Sequence, residues 1–210
     1  MKTKKIAILG TNSQALWQIT EEILQKGHSV MAIVDDPREF RLTHSHFVVV
    51  KGNIFNTIDI AKYIDGYDTV VCLYEPETAC LKEHIDANRS LITAAKIAGV
   101  NQVISLGHPM SLKLENTKVF FDLWKPIAFI QSETLDLFKK EDQFAWAYLH
   151  SIDLFIKRRT SPDRYTVADE ISLSKPKGLT KIIEIDNIIN ELVSEVDRLS
   201  YVWQEIETSL

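Results

Sequence analysis

The stretch that decides the fold is Lys5-Ile6-Ala7-Ile8-Leu9-Gly10-Thr11-Asn12-Ser13-Gln14-Ala15-Leu16. The unbroken apolar run from Ile6 to Leu9 suits a strand covered on both faces and is too short for a helix. Gly10 closes it. Residues 14–26 then place Leu16, Ile19, Ile23 and Leu24 at helical spacing, and Gly27 stops that helix. A buried strand, a short turn and a helix in that order open a parallel βαβ unit.

The same alternation runs outward from this start. Residues 29–34 form a second apolar strand ended by Asp35-Asp36-Pro37, and residues 47–50 a third ended by Lys51-Gly52-Asn53. A short helix over 58–64 leads through Gly66 into a fourth strand at 69–73. Residues 82–98 carry Ile85, Leu91, Ile92 and Ala95 on an apolar side, with Gly99 as the C-cap. A fifth strand at 102–106 ends in Gly107. After a loop through Pro109, a helix is expected over 127–139 and a sixth strand over 144–149. Parallel βαβ units joined by right-handed crossovers predict an α/β doubly wound parallel sheet with the first strand central and helices on both faces.

The rhythm changes after residue 150. Residues 151–179 read as loop with short strands, 181–185 as a strand, and 187–199 as a helix with Ile188, Ile189, Leu192 and Val196 on its apolar side. Their apolar content is too small for a separate core. The expectation is a single domain over 1–210, with its core in 4–150 and residues 151–210 as a capping appendage.

Composition narrows the function classes. At 210 residues, with 45% hydrophobic and 25% charged side chains, the chain supports one well-buried core. No apolar run approaches the roughly 18–20 residues needed to span a bilayer. The apolar stretch after Met1-Lys2-Thr3-Lys4-Lys5 is too short for a signal peptide, so a cytoplasmic location is expected. Two cysteines, Cys72 and Cys80, suit a reducing compartment. A formal charge of −5 argues against nucleic acid as the main partner, because phosphate binding needs a basic field. Lys157-Arg158-Arg159 with Arg164 is the one basic cluster and reads as a solvated loop. His44-Ser45-His46 has no third ligand at metal-binding spacing.

A strand, a glycine turn and a helix also make a place to hold a pyrophosphate, because the helix start offers free N–H groups and a partial positive charge. Several runs succeed one another at familiar spacing: Lys5 to Gly10, Gly27-His28-Ser29-Val30-Met31-Ala32-Ile33-Val34, and Val50-Lys51-Gly52-Asn53-Ile54-Phe55. Ala94-Ala95-Lys96-Ile97-Ala98-Gly99-Val100 and Val103-Ile104-Ser105-Leu106-Gly107 come next. Together they resemble the atypical short-chain dehydrogenase/reductase group, especially its small NAD(P)H-binding, NmrA-like and flavin-reductase-like members. The resemblance covers residues 4–150, and Ile185-Asp186-Asn187-Ile188 is similar to the group's late strand-to-helix turn.

This resemblance implies a Rossmann fold binding NAD or NADP, and an oxidoreductase acting on a small conjugated substrate or flavin. Gly10, Thr11, Asn12, Ser13, Gln14 and Ala15 would hold the pyrophosphate. Asp35 would accept hydrogen bonds from the adenine ribose, favouring NAD because its charge repels a 2′-phosphate; Arg38 offers a competing anion contact. Gly52, Asn53 and Ile54 would bracket the adenine. Leu73, Tyr74 and Glu75, with Ser105, Gly107 and His108, would face the nicotinamide side.

Departures from the group's pattern keep a second class open. The group shows Gly-x-x-Gly-x-x-Gly, whereas Ser13 and Leu16 stand where this chain's second and third glycines would fall. Leu16 would push the first helix from the strand, occupy the cofactor's space, or simply join the core. None of the six tyrosines has a lysine four residues on, so the proton-exchanging Tyr-x-x-x-Lys pair is absent. Ser105 and His108 are the polar groups expected to face a substrate, and no catalytic residue is assigned. The alternative is a non-catalytic relative that has lost the cofactor and acts as a sensor or interaction protein. The sequence names no substrate and no oligomeric state.

Overall fold

A computed structural model describes residues 3–10, 14–74, 80–107, 117–150, 196 and 203–207. The strands are β1 (Lys5–Gly10), β2 (Ser29–Val34), β3 (Phe47–Lys51), β4 (Thr69–Leu73), β5 (Gln102–Leu106), β6 (Ala145–His150) and β7 (Trp203–Glu207). They form one sheet in the order β3-β2-β1-β4-β5-β6-β7, parallel at every pairing. The helices are α1 (Gln14–Gln25), α2 (Thr57–Ile64), α3 (Lys82–Ala98) and α4 (Thr117–Phe138).

β1 lies inside the sheet between β2 and β4, as its sequence requires. Ile6 and Ile8 face one core with Leu16, Ile19 and Ile23 of α1. Ala7 and Leu9 face the other, with Ile60 and Ile64 of α2 and Ala87 and Leu91 of α3. A strand covered on both faces needs apolar residues at every position, which is why this run shows no alternation. Leu16 settles among Ile6, Ile8, Val34 and Leu73 with no exposed surface. Of the readings open for it, core packing is the one observed.

Two elements differ from the sequence reading. The helix expected over 127–139 starts at Thr117 and runs through Pro126. Proline at the first position of a helix is a start signal, so the motif pointed too late; here the ring sits exposed inside the helix, where it removes one N–H donor. The second difference is β7. Trp203-Gln204-Glu205-Ile206-Glu207 pairs in parallel with Trp146–His150 of β6. Val196 is fully buried in the α1-side core, and Lys4 Nζ donates to its carbonyl. These described residues extend the sheet and fill the core. The remaining expectations for 151–199, including the strand at 181–185, lie outside the described residues.

Replacing Leu16 with Ala should cost about 3 kcal/mol of unfolding free energy, because the site is closed on all sides. Glycine there should cost about 1 kcal/mol more through helix propensity. Urea titration followed by circular dichroism measures both.

Candidate functional site

The carboxyl ends of four neighbouring strands meet around one cleft. Leu9 and Gly10 come from β1, Ile33 and Asp35 from β2, Gly52 to Phe55 from the turn after β3, and Tyr74 from the residue after β4. The enclosed volume is about 200 Å³. It sits beside the seam between β1 and β4, where the chain order reverses direction across the sheet and where open α/β sheets bind ligands.

Two glycines keep the cleft and its seam in shape. A Cβ on Gly10 would stand 2.8 Å from the Leu73 carbonyl oxygen, so only glycine lets β1 and β4 end side by side. A Cβ on Gly52 would collide with Ile33 Cγ2. The Gly52 N–H donates to Val34 O at 3.0 Å, holding the turn after β3 against β2. Asn53 shapes the next two residues: its Oδ1 accepts from the Phe55 N–H at 2.9 Å, an Asx turn that presents Ile54 and Phe55. Ile54 is nearly buried, and its carbonyl accepts from Ser90 Oγ at 2.6 Å. Leu9, Ile33 and Ile54 give the cleft an apolar lining, while the Asp35 side chain is exposed at the rim.

The aromatic part of the lining is Tyr74 with Phe55, packed edge to face at 5.5 Å between centroids. The Tyr74 hydroxyl donates to Glu83 Oε2 at 2.8 Å. Burial first, then the hydrogen bond to Glu83, pushes this phenol far above its ordinary range. The Tyr74 phenol therefore stays protonated, with its hydrogen turned to Glu83.

Of the residues singled out from the sequence, Gly10, Asp35, Gly52, Asn53, Ile54 and Tyr74 come together here; Tyr74, expected on the nicotinamide side, lines the same cleft as Asp35 and Ile54. Others do not. Leu73 is buried in the α1-side core and contributes its carbonyl to the seam. Arg38 is outside the cleft lining, held by Asp36 through Nε to Oδ1 at 2.8 Å and Nη2 to Oδ2 at 2.6 Å. The guanidinium beside it lowers the Asp36 carboxyl to about 2. Ser105, expected to face a substrate, is fully buried and donates to Asn88 Oδ1 of α3 at 2.6 Å. On a strand covered on both faces, position along the strand does not tell which face a side chain takes. Gly107 is buried, its N–H donating to Leu149 O at 2.7 Å. Gln14 and Ala15 open α1. Thr11, Asn12, Ser13, Glu75 and His108 lie outside the described residues.

Sequence reasoning missed Leu9, Ile33, Phe55 and Glu83. Leu9 was legible as the last apolar residue before Gly10, and Ile33 as one of the last two before Asp35. Phe55 is a large apolar side chain left 43% exposed, and the signal was its place directly after the glycine turn. Glu83 had none, since its partner is set by tertiary packing.

Among the described residues no group of acidic, histidine or cysteine side chains could hold a metal. No described helix is long and apolar enough to cross a membrane. The open rim at Gly10 and Gly52 and the apolar lining fit the adenosine half of a dinucleotide. Fold and cleft together define a Rossmann-type nucleotide-binding domain.

Comparison with known proteins agrees. Residues 17–150, more than half of the chain, match the model of the NAD(P)H-binding family. The chain belongs to that family, in keeping with the atypical short-chain dehydrogenase/reductase group. It is 26% identical over 159 residues to the Bacillus subtilis protein YwnB, covering 72% of this chain and 73% of that one. A Bacteroides thetaiotaomicron protein described as a candidate epimerase superposes with a TM-score of 0.73 at 20% identity, over 98% of this chain and 96% of the other. Vestitone reductase from alfalfa superposes at 0.67 with 13% identity, over 99% and 77%. At these identities the two structures speak for the fold.

The thiols give a direct check on the packing. Neither cysteine is in a disulfide; Cys72 is buried and Cys80 exposed. Burial pushes the Cys72 thiol up to about 11, so it stays protonated and shielded at pH 8. A chromogenic disulfide reagent at that pH should titrate one thiol in the native protein and two in guanidinium. A Cys80→Ser variant should show none until unfolded.

Proposed function

We propose that this protein is an NAD-preferring oxidoreductase of the atypical short-chain dehydrogenase/reductase type, reducing a small conjugated substrate or a flavin. The observation that carries the reading is the cleft at the strand ends with Asp35 on its rim. The apolar residues Leu9, Ile33 and Ile54 take the adenine, Asp35 accepts from the ribose hydroxyls, and α1 begins where the pyrophosphate lies. A bound nicotinamide supplies the hydride. The chain's part is to hold the two reactants in line and keep the site apolar, with the proton drawn from water or from His108. The Tyr74 hydroxyl is already engaged as a donor to Glu83.

One observation favours a second reading, a cofactor-binding protein without turnover. Ser105, the serine expected on the substrate side, is a core residue bonded to Asn88, and no Tyr-x-x-x-Lys pair exists to replace it. This relative would report dinucleotide occupancy to a partner instead of transferring hydride.

Calorimetric titration with NADH, NADPH and their oxidised forms tests the cofactor, and quinone or flavin reduction tests turnover. NADH should bind more tightly than NADPH. Asp35→Ala should narrow that gap about tenfold, the worth of roughly 1.4 kcal/mol. Tighter NADPH binding by the unaltered protein defeats the assignment of Asp35. Binding without reduction of any acceptor selects the second reading.

A further inference from the structure

The aromatic wall of the cleft is tied twice to one turn of helix. Tyr74 leaves β4 at the cleft, and α3 returns alongside with Glu83 and His84 in its first turn. The Tyr74 hydroxyl donates to Glu83 Oε2 at 2.8 Å. The Tyr74 carbonyl lies 3.3 Å from His84 Nδ1. A carbonyl only accepts, so Nδ1 carries the proton there. In the neutral ring Nε2 is then the acceptor, and Tyr148 Oη lies 3.4 Å from it. His84 and Tyr148 are both fully buried. The next turn of the helix continues the anchoring: Asn88 Nδ2 donates to His84 O at 2.8 Å, and Ser105 Oγ of β5 donates to Asn88 Oδ1. Main chain and side chain of Tyr74 are thus fixed from one rigid element that is itself bonded to β5 and β6.

We infer that Glu83 and His84 are positioning residues that hold Tyr74 as a fixed wall of the adenosine slot, an inference that rests on reading the cleft as a dinucleotide site. Glu83 is the side-chain half of this clamp and the more easily tested. A tyrosine released from it keeps its place in the chain but gains rotamers, including ones that swing the ring into the slot or out to solvent. Ordering that ring then weakens binding of the ligand. The clamp acts before the ligand arrives, so its effect falls on affinity for the adenosine half and not on the reacting end. The phenol's high pKa, set by burial and by Glu83, keeps it a donor to Glu83 throughout the neutral range.

The test compares NADH and AMP binding by calorimetry for the parent protein, Glu83→Ala, Glu83→Gln, Tyr74→Phe and the double variant Tyr74→Phe/Glu83→Ala. Glu83→Ala and Tyr74→Phe should each weaken both ligands about fivefold, or roughly 1 kcal/mol. The double variant should be no weaker than either single one, because both break the same bond. Glu83→Gln, which keeps an acceptor oxygen, should bind like the parent. Equal losses for NADH and AMP locate the effect in the adenosine half. A purely structural role would lower thermal stability in every variant and leave affinity unchanged in those still folded. Parental affinity in Glu83→Ala and Tyr74→Phe, or additive losses in the double variant, overturns the clamp while the dinucleotide reading stands. A parent that binds neither NADH nor AMP overturns the dinucleotide reading itself and the clamp with it.

Discussion

The structure depends on how closely β1 and β4 can lie where both end. At Gly10 the missing side chain leaves room for the Leu73 carbonyl, which a Cβ would meet at 2.8 Å. Along the same seam Ile8 pairs with Val71 on one side and Ala32 on the other. Those registers decide where β2 and β4 stop, and so bring Asp35 and Tyr74 to a common rim. The turn after β3 joins them because Gly52 can lie against Ile33. Two missing side chains thereby place a carboxylate, an aromatic ring and an apolar floor around one small volume. Wherever a strand interior needs close backbone approach, glycine is the residue that permits it.

β1 to β5 were legible almost to the residue, because parallel strands are short, mainly apolar runs bounded by glycine or acidic turns. α4 was not, because Pro126 looks like a helix start while tertiary packing carries the helix past it. β7 was not either. Trp203 to Glu207 holds two glutamates and a glutamine, and its strand state comes from the edge offered by β6, not from its own pattern. The site divides along the same line. Asp35, Gly52, Asn53 and Tyr74 line the cleft, and their places were legible because strand ends are visible in sequence. Ser105 is a core residue because β5 is buried on both faces, and such a strand gives no cue to which face a given side chain takes. Glu83 is joined to Tyr74 across nine residues through a fold that sequence spacing alone does not display.

Buried polar residues lie behind the cleft, on the α3 side of the sheet. Ser105, Asn88 and His84 satisfy one another between α3 and the sheet. Such groups are costly unless partnered and hold a unique arrangement once they are. They give the layer between α3 and β4–β6 a single register, whereas apolar contacts alone would tolerate small slips. Ser105, a polar side chain that the sequence offers to a substrate, is thus used to fix the scaffold.

The seventh strand has a consequence for how the molecule comes into being. On a ribosome the six earlier strands emerge well before residues 203–207, so β6 stands for a time as an open edge with unpaired N–H and C=O groups. Its side chains are largely apolar and aromatic, Trp146, Tyr148 and Leu149 among them, which is the composition that recruits stray strands. The nascent sheet is therefore most vulnerable to wrong pairing in the interval between completing β6 and delivering β7. Val196 enters the α1-side core under the reach of Lys4, joining two far parts of the chain.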